Sequence, residues 1–372
     1  MQFYRKPSHW MLFSILLILV LTGCSQSTPT PDPYTFTPEC NVPDLIKAIN
    51  DANSTPSIPA EIQLPNNCVY TLTKVDNLGI FSGLPIHSGL PAIQSEITIR
   101  GNNAVIEILP DVGEPPFGHF ALDIESKLKL YDLTLKDGAR YLGGAVVSKR
   151  GDLWAYNVKF LNNMAYPESM DNAGRGGAIW SYFGKVRIRA NSLFQRNLAG
   201  QTQTSNPDLG GAIYSFNSSL SIINSYFLEN YATGHGGAVY AEKTMAGLGG
   251  DMVSGGGMIS IQNSEFSQNT AHLDGGGLYI IGESEGAFIA SSTFIENLSD
   301  GLGGAVFIQD SEVHINSTEF HSNQAEHGGA IYTRRSAAGE TSQLFSDNDV
   351  FVINTALGSG GAIYSQNSDL EL

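Results

Sequence analysis

Phe227-Leu228-Glu229-Asn230 and, a few residues on, Gly236-Gly237-Ala238-Val239-Tyr240 are one instance of two signatures that recur along most of the 372-residue chain. Phe-x-x-Asn stands at Phe160/Asn163, Phe194/Asn197, Phe227/Asn230, Phe266/Asn269, Phe294/Asn297, Phe320/Asn323 and Phe351/Asn354. The Gly-Gly signature begins at Gly143, Gly176, Gly210, Gly236, Gly275, Gly303, Gly328 and Gly360. Successive Phe positions are 34, 33, 39, 28, 26 and 31 residues apart, so the basic unit is 26 residues and the longer intervals carry insertions. A period of this size marks a repeat architecture.

Each unit reads as strands joined by corners. Before most of the Phe positions lie apolar pairs two residues apart: Leu153/Ala155, Leu220/Ile222, Ile259/Ile261, Ala287/Ile289 and Val313/Ile315. That spacing is the strand period, and no helical period accompanies it. Three residues before each Phe stands Asn157, Asn191, Asn224, Asn263, Ser291, Ser317 or Asn348, residue types that suit a corner. If each unit is one coil, equivalent residues stack at the strand spacing of about 4.8 Å. Like phenylalanines then pile up inside, and like asparagines can hydrogen-bond from coil to coil. Paired glycines allow a positive-φ bend and close backbone approach. The pattern predicts an all-β, single-stranded right-handed parallel β-helix.

Phe-x-x-Asn combined with Gly-Gly-Ala-Ile resembles the chlamydial-type polymorphic outer membrane protein repeat, within the pectin-lyase-like β-helix superfamily, over residues 143–364. The resemblance implies a surface-exposed, adhesin-like protein without an enzymatic site. Members of that family usually end in an autotransporter barrel, and this sequence departs from them there. Leu128, Leu130 and Leu135 extend the spacing backwards, and Ile97–Ile106 reads as an early coil. Cys40 to Thr73 is loosely similar to the CSLREA-type N-terminal segment of bacterial β-helix proteins, with Leu45-Ile46-Lys47-Ala48-Ile49 at the signature. Leu45, Ala48, Ile49 and Ala52 fall at i, i+3, i+4 and i+7, which predicts a short amphipathic helix capping the first coil. Ser368 to Leu372 opens another coil and stops, so the sequence is expected to be a piece of a longer protein.

Composition agrees with an exported β protein. Charged residues make up 15% of the chain against 41 glycines, and 36 acids outweigh 20 bases for a net charge of -16. That sign disfavours nucleic acid and anionic lipid as main partners. Arg5 and Lys6 precede a short apolar run, Trp10–Leu21, too brief to span a bilayer. It ends in Leu21-Thr22-Gly23-Cys24, which resembles a bacterial lipobox. The resemblance implies a signal peptide over 1–23, lipidation of Cys24 and attachment to the outer membrane or cell surface. Residues 24–39, rich in Pro, Ser and Thr, read as a tether, and 40–372 as the β-helix. Cys40 and Cys68, the remaining cysteines of an exported chain, are expected to pair.

A catalytic constellation is not evident. Gly234-His235-Gly236 and Arg187-Ile188-Arg189 match fragments of polygalacturonase-like motifs, but in the wrong order, and there is no Asp-Asp pair. A polysaccharide lyase or hydrolase acting on acidic polysaccharide remains the alternative to a binding role. Histidines and acids are scattered, so no cofactor is expected, although the charge allows weak surface Ca²⁺ binding. The residue after the aliphatic of each Gly-Gly strand is Trp180, Tyr214, Tyr240, Tyr279, Phe307, Tyr332 or Tyr364. Strand alternation places this row outside, either as a structural ladder or as a platform for a glycan or a cell-surface protein. Insertions at 164–175 and 198–209 should lie side by side, with others at 242–257 and 334–342, where binding residues could also collect.

Overall fold

In the computed structural model, which describes residues 33–372 apart from 82–83, 168–172, 201–205, 245–257, 283–285 and 338–341, each repeat unit is one turn of a parallel β-helix. The expected signal peptide, Cys24 and most of the tether lie outside the described residues, as do parts of all four insertions. One coil illustrates the rest. Lys185–Arg189 runs along one sheet, the chain turns at Ala190 and Asn191, and Leu193–Gln195 continues the same sheet. A second turn at Arg196 leads to the two-residue strand Leu198–Ala199, and after Gly210-Gly211 comes Ile213–Phe216. Stacking these pieces produces a nineteen-stranded sheet, a nine-stranded sheet and an eight-stranded sheet of two-residue strands. All ladders between coils are parallel; the antiparallel pairings are Ile80–Phe81 with Leu84–Pro85 and the bridge between Asn77 and Ser88.

Register places like on like. Leu128, Leu153, Val186, Leu220 and Ile259 form one inward row, and Phe160, Phe194, Phe227, Phe266, Phe294, Phe320 and Phe351 form another. Neighbouring rings of the Phe row are 4.4–5.1 Å apart and within 12° of parallel. Such stacked pairs add roughly 0.5–1.5 kcal/mol each beyond their area burial.

Beside it runs the asparagine row. Each Nδ2 donates to the Oδ1 of the next coil's Asn and to the carbonyl of the preceding coil's Phe, while each backbone N–H of the row also donates to the next Oδ1. An interior amide of the row therefore uses both donors and both acceptor positions, which is the full capacity of the group.

The corners explain the remaining residue types. Asn157, Asn191, Asn224, Asn263, Ser291, Ser317 and Asn348 all take φ between 47° and 64°, the left-handed conformation that Asn tolerates best. The next residue or its neighbour supplies a hydroxyl row the sequence reading did not single out. Ser225 N donates to Ser264 Oγ, and Ser264 N to Ser292 Oγ. In the glycine pairs, the two members serve different needs. Gly236 has φ +68°, whereas a Cβ on Gly237 would lie 2.1 Å from the Gly276 carbonyl oxygen of the next coil.

The N-terminal end is closed as expected. Helix α1, Val42–Asn53, buries Leu45, Ala48, Ile49 and Ala52, and its N-cap Asn41 accepts from Asp44 N. Cys40, just before the helix, is disulfide-bonded to Cys68 at the edge of strand Val69–Leu72. One boundary moves. Tyr34–Phe36, expected in the tether, is a strand paired with Ala60–Ile62, because Phe36 packs against the core.

Candidate functional site

The aromatic row of the nine-stranded sheet is in register as expected, from Trp180 through Tyr214, Tyr240, Tyr279, Phe307 and Tyr332 to Tyr364. It points away from the Phe core, but it is not exposed. Trp180, Tyr214, Tyr240, Tyr279, Phe307 and Tyr332 are 0–7% accessible, and Tyr364 is half-buried. The reason is the residue before each glycine pair. Leu142, Arg175, Leu209 and His235 bridge to one another in sequence, forming a covering ladder as the chain doubles back over the rings. Arg175 lies over Tyr214, His235 tilts against Tyr279 at 4.8 Å, and Arg334 lies over Phe307. Burial pushes the Tyr214, Tyr240 and Tyr279 phenols well up from their ordinary range. A stacking platform for sugars on this row is thereby ruled out as an open surface; the row is a second core.

The same geometry accounts for the Gly-His-Gly fragment. His235 belongs to the covering ladder and its Nδ1 accepts from Asp274 N. Arg187 and Arg189 project from the nineteen-stranded sheet, so the two motif fragments sit over different sheets. The first two insertions do lie side by side: Arg175 bridges Leu209, and Asp208 accepts from Gly174 N and from Thr233 Oγ1. Among the described residues no group of three His, Cys, Asp or Glu is placed to hold a metal, and no helix is long and apolar enough to cross a membrane.

Half-buried rings with an outward edge occur instead on the outward side of the nineteen-stranded sheet. Four successive strands present three outward side chains each: Glu96, Thr98, Arg100; Lys127, Lys129, Tyr131; Asp152, Trp154, Tyr156; Lys185, Arg187, Arg189. All twelve are exposed or half-buried. At about 4.8 Å per rung and about 6.7 Å per pair of residues, this array covers roughly 14 by 13 Å. Six cations face two carboxylates on these strands, and Glu61 on the adjoining strand pairs with Arg100 at 2.9 Å, which leaves a local excess of three positive charges in a chain of net charge -16.

The array is ordered by its own contacts. Tyr131 and Tyr156 stack at 4.6 Å and 3°, with the Arg100 guanidinium over Tyr131 at 4.8 Å. Trp154 is flanked by Lys129 at 5.5 Å and Arg187 at 4.5 Å from the strands on either side, a cation–π arrangement. Glu96 takes both Lys127 and Lys129; burial alone would raise its carboxyl, but those hydrogen bonds hold it below the usual range. Arg189 donates to the Ser221 carbonyl and hydroxyl, and neither it nor Lys185 has a carboxylate partner among the described residues. Further along the sheet, His314 is sandwiched between Phe288 and Phe345 at 5.0 and 4.5 Å, with Nε2 beside Glu312.

With the geometry in hand, comparison with known proteins adds family context. The Chlamydia polymorphic membrane protein (Chlamydia_PMP) repeat matches residues 224–242 and 350–366. Each of these two stretches carries one Phe-x-x-Asn and one Gly-Gly signature. A protein of Escherichia coli (strain K12) named "Probable autotransporter YfaL" is 28% identical over 216 residues, which is 53% of this chain. The aligned part spans only 14% of that protein's length. Among solved structures, "L. reuteri 53608 SRRP" matches over 91% of this chain and 98% of its own, at 14% identity and a TM-score of 0.41.

The outward array is not marked by either repeated signature, because its residues stand between the apolar pairs and differ from coil to coil. Lys129, Trp154 and Arg187 are the residues between Leu128/Leu130, Leu153/Ala155 and Val186/Ile188. The same period of two that sends the pair inward sends the middle residue out.

Proposed function

We propose that this protein is an exported β-helix, anchored through a lipid on Cys24 and displayed at the outer membrane or cell surface, where it serves adhesion by binding a glycan or a cell-surface protein. The repeat type and the similarity to an autotransporter support surface placement. The Leu21-Thr22-Gly23-Cys24 motif supports the lipid. The observation that carries the binding role is the ordered, outward array of six cations and three rings on a rigid sheet, set in an otherwise acidic chain. Side chains already held by stacking and cation–π contacts lose little entropy when a ligand arrives.

Two experiments test this reading. Labelling cells with a fatty-acid analogue should mark the wild-type protein and leave Cys24→Ala unmarked; equal labelling would remove the anchor from the account. Coating a surface with purified protein should capture cells or glycans, and R187A/R189A should reduce capture at least tenfold. Capture unchanged by that variant would place binding elsewhere on the molecule.

A further inference from the structure

We infer that a cavity at the first edge of the eight-stranded sheet binds a small organic cation with an apolar body, of the arylalkylammonium class. The site lies off the outward array and does not rest on the adhesive reading above. The cavity exists because one coil lacks a strand. Ala139–Arg140 is the first strand of the eight-stranded sheet. The preceding coil ends its long strand, Glu96–Ile108, and residues 109–117 cross this edge without forming another. The chain meets the edge again at Phe117, whose carbonyl accepts from Ala139 N at 3.0 Å. The gap left behind is a cavity of about 430 Å³. Small-molecule sites span about 300–1,000 Å³. Its frame is tied down on both sides. Leu109 N donates to Leu72 O at 3.0 Å, Asp111 N to Thr73 O at 2.7 Å, and Val75 N to Glu114 Oε2 at 3.2 Å. Opposite, Met164 N donates to Gly138 O at 2.7 Å and Tyr166 N to Arg140 O at 3.1 Å.

Two properties of the lining select the ligand. It is mostly apolar, with Ile108 and Phe117 buried and Met164 and Tyr166 half-buried. Two carboxylates, Glu114 and Asp137, share it, and no lysine, arginine or histidine is among the described residues that line it. Lys136, the neighbour of Asp137, is engaged: its Nζ is 2.6 Å from Glu107 Oε2 and 3.8 Å from Asp137 Oδ2. Asp137 Oδ1 accepts from Asn162 Nδ2 at 3.3 Å. Each carboxylate offers about four acceptor positions, so both keep capacity for the three donors of an ammonium. A ring carried by that ammonium packs against the methionine sulfur and the aromatic side chains. The field of a chain of net charge -16 draws cations in. A fatty acid would set its own charge against Glu114 and Asp137. A sugar would bury hydroxyls against apolar walls without partners.

The test follows the Met164 methyl resonance of purified protein carrying isotope-labelled methionine methyls, assigned by its loss in Met164→Leu. The protein is titrated with phenethylammonium chloride. Phenethyl alcohol removes the charge of that probe, hydrocinnamate reverses it, and methylammonium removes the apolar body. The expected result is a saturable shift with phenethylammonium, binding roughly fivefold weaker for the alcohol, and no saturable shift with the other two. E114Q/D137N should erase the preference, so that ammonium and alcohol bind alike. Neither substitution threatens the fold: Gln keeps an oxygen for Val75 N, and Asn tolerates the φ of 63° at position 137. E265Q/E319Q, equal in charge change but on the nineteen-stranded sheet, should leave the preference intact. No shift with phenethylammonium, equal binding of the alcohol by wild type, a saturable shift with hydrocinnamate, or a preference that survives E114Q/D137N would overturn the assignment. R187A/R189A should leave the titration unchanged, so this cavity and the adhesive face fail or stand separately.

Discussion

Replacing Asn269 with Ala removes one rung from the middle of the buried asparagine row. Its Oδ1 accepts from Asn230 N at 3.0 Å and Asn230 Nδ2 at 2.9 Å, and its Nδ2 donates to Asn297 Oδ1 at 2.9 Å and Phe227 O at 2.8 Å. Ala leaves two donors of Asn230 without a partner at a site that water does not reach, Asn230 being 1% and Asn269 0% accessible. At about 1–3 kcal/mol for each orphaned buried donor, the loss is roughly 2–6 kcal/mol, centred near 4. Asn269→Asp should cost at least as much. Its second oxygen would face Asn297 Oδ1 and Phe227 O, two acceptors, with a buried charge and no cation. Gln262→Ala, two corners away and exposed, should stay within about 0.5 kcal/mol of wild type. Urea unfolding followed by far-ultraviolet circular dichroism measures all three. Asn269→Ala within about 1 kcal/mol of wild type, or Asn269→Asp as stable as wild type, would refute the claim that the row carries its full set of hydrogen bonds.

Other perturbations read other parts of the fold. The Cys40–Cys68 bridge closes a separation of 28 residues, so C40S/C68S or reduction should cost roughly 3–4 kcal/mol in the chain-entropy model, seen as a lower melting temperature. Gly237→Ala puts a Cβ 2.1 Å from a backbone oxygen that cannot move aside, and should lose about 3 kcal/mol or fail to accumulate as folded protein. Ile353 sits at φ +54° and is 78% exposed, so Ile353→Asn should gain about 1 kcal/mol, measured by the same urea titration. His119 is fully buried beside Arg140, and burial first, then that charge, lowers its imidazole to about 3. A depressed histidine adds stability above its unfolded value of 6.5 that fades as pH falls towards 3, about 2 kcal/mol of it between pH 6.5 and 5. H119Q should lack that part of the pH slope; identical slopes would contradict the assignment.

The coil was legible because its chemistry is written at positions that repeat: Phe and Asn inside, Asn or Ser at one corner, glycines at another. A second left-handed corner was not. Arg196, Glu229, Gln268, Glu296 and Ile353 take φ between 52° and 55° immediately before the row asparagines. Asn162 and Ser322, at the same position with φ 52° and 54°, are turn-forming types, but these five are not; there the conformation is imposed by the need to swing the following Asn inward between two fixed strands. The aromatic row shows the limit of alternation as a guide. Period two correctly sends Tyr214 and Tyr240 away from the Phe core, but it is blind to the chain returning over them through Leu209 and His235. The open face around Lys129, Trp154 and Arg187 lies at the residues between the apolar pairs, which the same period sends outward and which carry no repeated residue type to mark them.

Stacking in register is tested most directly by spin-label distances along one outward row. Labels on Thr98 paired with Ser221, Ser260 or Phe345 are separated by four, five and eight rungs. Backbone separations of about 19, 24 and 38 Å are expected, rising by the strand spacing with each rung. Distances that fail to rise in that proportion, or that bring Thr98 and Phe345 close together, would contradict the coil on which every other statement depends.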